Sequence, residues 1–162
     1  MRSDEVKFCP KCGQTVVLEL RFGEHRPVCN ACGFIYFSDP KVAAAVLVKR
    51  DEQVLLVRRA HEPFRGLWTL PAGFVNSGED PAEAAARECV EETGLRVEIT
   101  GILAIISGRE HPRGSDFVIF FAGQVTGGTL QAGDDAEAAE WFDSGQLPQL
   151  AFQSTKRIFE QF

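Results

Sequence analysis

The chain has no run of about 18 apolar residues, so nothing in it reads as a membrane-spanning helix. Its first residues, MRSDEVKF, lack an apolar core and are mixed in charge, which is not the pattern of a secretory leader. Basic charge is scarce: 17 Lys and Arg stand against 23 Asp and Glu. The resulting net charge of −6 speaks against a nucleic-acid partner or an anionic membrane surface. A phosphate-rich small molecule stays open, because a bound metal ion reverses the local sign. There is no internal repeat and no low-complexity tract. Outside two CxxC pairs cysteine is limited to Cys89, which points to metal binding in a reducing, cytoplasmic setting rather than to disulfides. What is present is 162 residues with 44% hydrophobic content, enough for one domain of ordinary size and a small appendage.

The appendage comes first. Cys9-Pro10-Lys11-Cys12-Gly13 and Cys29-Asn30-Ala31-Cys32-Gly33 are two knuckles separated by 16 residues. Two thiolates at i and i+3 on a turn reach one ion, and the glycine after each lets the backbone fold around it. Two such turns make a closed four-thiolate site of the kind that holds structural Zn²⁺. A redox dithiol or an iron–sulfur centre would use the same residue type. The alternating segment 15–22 predicts a β-hairpin between the knuckles. The boundary falls near Asp39-Pro40, giving a ribbon over 1–39 and a second domain over 40–162.

The second domain is organised around 73–95, GFVNSGEDPAEAAARECVEETGL. Asp80 is an N-cap acceptor, Pro81 suits the first helical position, and Glu83 lies three past the cap. Gly94 is able to take the left-handed conformation that ends helices. On the helix between them Glu88, Glu91 and Glu92 share an arc of roughly 100°. Ala82, Ala86, Cys89, Val90 and Thr93 lie opposite, so the acidic arc is expected to face away from the core. Arg87 lies one turn before Glu91 and can hold its carboxylate. Crowded carboxylates repel, and a divalent cation relieves them; hard oxygen ligands on a partly open site suit Mg²⁺ or Mn²⁺. A solvated glutamate-rich face would show the same residues.

Around this stretch, 42–49 reads as a strand buried on both faces, 51–53 as a turn and 54–59 as a returning strand. Arg58, Arg59, His61 and Arg65 form a cationic cluster able to meet phosphate oxygens or simply to face solvent. A carbonyl at Ala72 or Gly73 could complete a metal shell. Segments 97–107 and 116–125 read as long strands, with Phe117, Ile119 and Phe121 on one face and Val118 and Phe120 on the other. The loop 108–115 between them carries Arg109, His111 and Arg113, candidate phosphate or ribose contacts. A short strand is expected at Glu140-Trp141-Phe142 and a terminal amphipathic helix over 150–162, with Ile158 and Phe159 turned inward.

The spacing G-x5-E-x7-R-E-U-x-E-E-x-G-U is met at Gly73, Glu79, Arg87, Glu88, Cys89, Glu91, Glu92, Gly94 and Leu95. It resembles the Nudix box, the signature of hydrolases that cleave a nucleoside diphosphate linked to another moiety. Cys89 stands where an aliphatic is usual. A four-cysteine ribbon directly before such a box is similar to the NADH pyrophosphatase group and its relatives that act on FAD and ADP-ribose. The signature of the NADH enzymes, SQPWPFPxS, is replaced here by ISGREHPRGS, while GLWTLPAGF and LPQLAFQST look closer to the FAD and ADP-ribose type.

The resemblance implies an α/β fold, the Nudix α/β/α sandwich with a mixed sheet. It implies Mg²⁺-dependent (or Mn²⁺-dependent) hydrolysis of a dinucleotide with release of AMP, ADP-ribose first, then FAD or NADH. Glu88 and Glu92 would be the main metal ligands, and Glu91, oriented by Arg87, a further ligand or the base. Glu79 would brace the loop or reach an outer metal through water. Relatives carry an E-x-x-E pair that aligns with Asp135 and Ala138, making Asp135 a candidate ligand and Glu137 its rival. Arg58 and Arg109 would contact phosphate or ribose, and Trp68, Phe117 or Phe152 would stack on adenine or else belong to the core. Relatives are commonly dimers, so a homodimer is an expectation. The alternatives are a Nudix domain that senses ADP-ribose without cutting it and an enzyme that removes NAD caps from RNA.

Overall fold

The computed structural model describes residues 6–112, 114–133 and 136–162. The chain divides into two compact units, Met1–Pro40 and Lys41–Phe162.

In the first unit, β1 (Val17–Arg21) and β2 (Glu24–Val28) form an antiparallel hairpin with Val17 opposite Val28 and Arg21 opposite Glu24. The two knuckles are built alike. Gly13 N–H donates to the Cys9 carbonyl and Gly33 N–H to the Cys29 carbonyl, each at 2.8 Å. Both glycines sit at positive φ, 76° and 73°, which is why glycine follows each CxxC.

The second unit contains β3 (Val42–Arg50), β4 (Gln53–Arg59), β5 (Trp68–Thr69), β6 (Ala72–Phe74), α1 (Pro81–Thr93), β7 (Leu95–Ser107), β8 (Phe117–Gly128), β9 (Ala136–Asp143) and α2 (Gln153–Gln161). The strand order is β5-β4-β3-β8-β7, with β6 paired to β3 and β9 to β4. Strand β3 runs parallel to β8, Val42 opposite Phe117 and Val48 opposite Gly123, whereas the other pairings are antiparallel, so the sheet is mixed. The turn from β3 to β4 pairs only Lys49 with Val54 and Arg50 with Gln53, after which β4 turns to β5 and β9.

Alternation along β3 explains both its apolar run and the layers. Ala44, Val46 and Val48 pack with Leu55, Phe121 and the α1 residues Ala84, Ala85 and Cys89 on one face. Ala45 and Leu47 pack with Val54, Leu56, Leu70, Phe120 and the α2 residue Ile158 on the other. Each fully buried large side chain in these layers contributes roughly 1.5–3 kcal/mol. The result is a mixed sheet between two helices, the α/β/α sandwich.

Helix α1 begins and ends where local chemistry places its limits. Asp80 accepts the Ala82 N–H at 2.8 Å, and Gly94, at φ 69°, donates to the Val90 carbonyl at 2.8 Å. Its buried stripe differs from the expected one. Val90 is exposed, Ala84 and Ala85 are fully buried, and Glu92 is 6% exposed. The acidic arc therefore borders the interior instead of facing away, because the two alanines allow close approach to β3 and Glu92 meets a backbone donor described below. Strand β9 is longer than the three residues expected, and α2 starts at Gln153 rather than at 150.

Candidate active site

The residues of the acidic helix converge on β6. Glu92 lies in α1's last turn, and its Oε2 accepts the Ala72 N–H at 3.0 Å. Glu88 stands against Gly73, where a Cβ would collide with its carboxylate. The loop between β6 and α1 is folded back by Glu79, whose Oε2 accepts the Asn76 N–H at 2.8 Å.

Arg87 is the hub. From Nε it donates to Glu79 Oε1 at 2.7 Å, and from Nη2 to Glu79 Oε2 at 3.1 Å and to the Phe74 carbonyl at 3.1 Å. From Nη1 it donates to Glu88 Oε1 at 2.7 Å and Glu91 Oε2 at 2.8 Å. The planar fork suits this bidentate-plus-three pattern in a way that an ammonium would not. The Arg87 guanidinium and the Asn76 N–H beside it hold the Glu79 carboxyl down at about 2. In turn Glu79, Glu88 and Glu91 raise Arg87 above its ordinary range. Four carboxylates against one guanidinium leave this cluster a formal charge of −3.

That surplus fits a divalent cation. No three carboxylates among the described residues bring their oxygens within 4.8 Å of one another. The arrangement suits a cation that keeps several waters and takes one or two carboxylates plus substrate phosphates, which is the habit of Mg²⁺, and not an all-protein cage. Asp135 lies outside the described residues.

A cavity of about 350 Å³ opens on the other side of β6, within the size range of small-molecule sites. Ala72 and Gly73 line it and so join it to the acidic cluster. Its floor is apolar, from Ala43, Ala45, Val118 and Phe120, and its rim carries Arg59, Glu62, Glu110 and His111. Phe152 also lines it, with Arg59 stacked over its ring at 5.2 Å and Phe64 edge-on at 5.2 Å. Arg59 is braced by donating from Nε to the Pro63 carbonyl at 2.8 Å.

Arg58, Trp68, Arg109 and Phe117 do not line this cavity. Arg58 lies 3.4 Å from Glu137 and over the Trp68 ring, and Trp68 packs edge-on against Phe142 with the core. Glu137 is also paired with Arg65 at 3.2 Å. Arg109 is three-quarters exposed beside Asp116, and Phe117 is 42% exposed at the start of β8. Arg59 and Phe152 were legible as members of a cationic cluster and an aromatic trio. Glu110 had no local signal, since its partners lie more than forty residues on.

In the ribbon unit the four cysteine sulfurs all lie within 4.8 Å of one another, with Cys9 to Cys32 at 3.6 Å and Cys12 to Cys29 at 3.5 Å. A tetrahedral ion with bonds of about 2.3 Å to sulfur sets its ligands about 3.8 Å apart, so the set fits Zn²⁺. The Cys32 N–H, donating to the Cys29 sulfur, lowers that thiol to about 7. At Cys12 the Gln14 N–H is outweighed by the neighbouring Cys32, Cys29 and Cys9 sulfurs, which push that thiol up to about 12, so the crowded sulfurs share protons that a metal would displace. Cys89, on the face of α1 buried against the sheet, is pushed up by that burial to about 11 and packs as a small hydrophobe. Among the described residues no helix is long and apolar enough to cross a membrane.

Comparison with known proteins agrees with this architecture. The NUDIX domain family matches residues 39–162, and the zinc-ribbon family described as Nudix N-terminal matches 7–37. The chain is 44% identical over 120 residues to an ADP-ribose pyrophosphatase of Methanocaldococcus jannaschii, covering 74% of this chain and 71% of that one. It is 31% identical over 146 residues to the NAD-capped RNA hydrolase NudC of Chromobacterium violaceum, covering 89% of this chain but only 52% of that longer protein. Among solved structures, a NUDIX hydrolase from Nitrosomonas europaea superposes with a TM-score of 0.86 at 32% identity, over 96% of this chain and 89% of that one. The chain is a member of the Nudix hydrolase family, carrying that family's N-terminal zinc ribbon ahead of the catalytic fold.

Proposed function

We propose that this Nudix hydrolase cleaves the pyrophosphate of a dinucleotide, ADP-ribose first, and releases AMP with Mg²⁺ as cofactor. The observation that carries the reading is the shared wall: Ala72 and Gly73 border both the acidic cluster and the cavity. A nucleoside held in the cavity would present its diphosphate across that wall. Glu88 and Glu92, with the Ala72 carbonyl, would hold the cation, and Glu91 would be a further ligand or take the proton from the attacking water. A divalent ion there offsets the charge of the bridging phosphates and favours in-line attack by water. Arg87 keeps Glu79, Glu88 and Glu91 in place, and Glu79 keeps the loop closed on α1. Arg59, stacked on Phe152, supplies positive charge for a phosphate and Phe152 a face for the base. Similarity to an ADP-ribose pyrophosphatase supports the substrate chosen. The four thiols suit a reducing, cytoplasmic setting.

The test is incubation with ADP-ribose, FAD and NADH in Mg²⁺, with AMP measured by chromatography. AMP is expected fastest from ADP-ribose; absence of AMP from all three would leave the sensing alternative in its place. A second reading, removal of NAD caps from RNA, draws on the similarity to NudC, which runs through the ribbon as well as the Nudix domain. An NAD-capped oligonucleotide in the same assay decides between free and RNA-linked substrate.

A further inference from the structure

Helix α2 begins without a cap of its own. Phe152 occupies its N-cap position and makes no side-chain cap hydrogen bond, so the first N–H groups of the helix need an acceptor from elsewhere. Glu110 supplies it from 43 residues upstream of Gln153: Oε2 accepts the Gln153 N–H at 2.5 Å and Oε1 the Ser154 N–H at 2.8 Å. Both carboxylate oxygens are used, and the positive end of the helix absorbs their charge. This matters because Glu110 lines the cavity, where a bare carboxylate would repel a diphosphate.

The bond joins two walls. Glu110 and His111 line one side of the cavity, and Phe152, Ser154 and Thr155 the other. On the helix side the wall is fixed: Ser154 and Thr155 are buried, and Thr155 Oγ1 lies 3.3 Å from Thr69 Oγ1. On the strand side, Gly108 N–H donates to the Asp116 carbonyl at 3.0 Å and Glu110 N–H to the Gly108 carbonyl at 2.7 Å. The carboxylate of Glu110 is therefore a strut between the end of β7 and the start of α2.

Building on the proposed hydrolysis of a dinucleotide, we infer that Glu110 is a positioning residue. By tying the 108–112 arm to the first turn of α2 it sets the width of the cavity, and with it how tightly the nucleoside is held. It touches neither the cation nor the scissile bond.

The test compares wild type, Glu110→Gln and Glu110→Ala in steady-state hydrolysis of ADP-ribose, with hydrogen exchange at Gln153 and Ser154. Glutamine keeps the size of the side chain and one acceptor while turning an N–H towards another, so it disturbs the fold less than alanine does. The expected result is a KM raised about tenfold in both variants with kcat within about twofold, since only uniform binding is lost. The two amides should exchange at least about tenfold faster. A lower Tm with unchanged KM would reduce Glu110 to a helix cap and overturn the inference, as would a fall in kcat at constant KM. If the wild type neither cut nor bound any dinucleotide, the proposed function would fail and the positioning role with it.

Discussion

The Glu88 carboxylate occupies the space that a side chain at Gly73 would need. A Cβ built there overlaps Glu88 Oε1 and its carboxyl carbon, which are the far end of a flexible side chain and not backbone. Gly73→Ala should therefore fold, because Glu88 can swing aside. The displaced carboxylate would leave the proposed cation site, and activity should drop by about a hundredfold or more. Melting temperature and kcat measured together check this. Activity near wild type with an intact fold would show that Glu88 has no role at that position.

Arg87 holds three carboxylates through one planar fork, so a change of shape at constant charge should be costly. Arg87→Lys is expected to reduce kcat about tenfold or more, because an ammonium cannot serve Glu79 and the Glu88–Glu91 pair together. Apparent Mg²⁺ affinity should shift as well, since Glu88 and Glu91 lose their brace. Kinetics across a Mg²⁺ titration measure both effects.

The Glu79–Arg87 contact carries a pH signature. Folding lowers the Glu79 carboxyl to about 2 from an ordinary value near 4.5. The unfolded chain thus binds the proton more readily, and the contact's stabilisation is fully present above about 4.5 and lost as pH falls towards about 2. Glu79→Gln should be less stable than wild type at neutral pH, and the gap should narrow below about pH 4.5 and close only towards about pH 2. Denaturant melts at a series of pH values give the comparison; a gap independent of pH would detach Glu79 from this role.

Four thiols placed to close on one ion would make the first unit's fold conditional on metal. The purified protein should contain one zinc per chain. A strong chelator at low pH, or Cys29→Ser, should release it and abolish the ribbon's amide protection while Lys41–Phe162 keeps its own transition. Metal analysis and hydrogen exchange report the outcome.

Sequence reading succeeded where the determining chemistry is local. Asp80, Pro81 and Gly94 mark the helix ends without reference to the rest of the chain, and each CxxC-Gly contains its own turn. The run from 42 to 49 announced a strand buried on both faces. What stayed hidden depends on partners far away in the chain. Glu92 is buried because Ala72, twenty residues earlier, returns to meet it. A register shift between Arg58 and Arg59 interrupts strict alternation on β4, and Arg59, not Arg58, lines the cavity. Trp68 was open to stacking or to the core, and its edge-on contact with Phe142 on β9 places it with the core. Glu110 caps a helix that begins 43 residues later, a pairing no local pattern encodes.

The most direct test substitutes one atom at the acidic flank. Glu92→Gln keeps the acceptor for the Ala72 N–H and removes the charge, so the fold should survive. With ADP-ribose and saturating Mg²⁺, AMP release should fall by about a hundredfold or more relative to wild type. Equal rates in the two proteins would contradict the claim that these carboxylates hold the cation beside the scissile bridge.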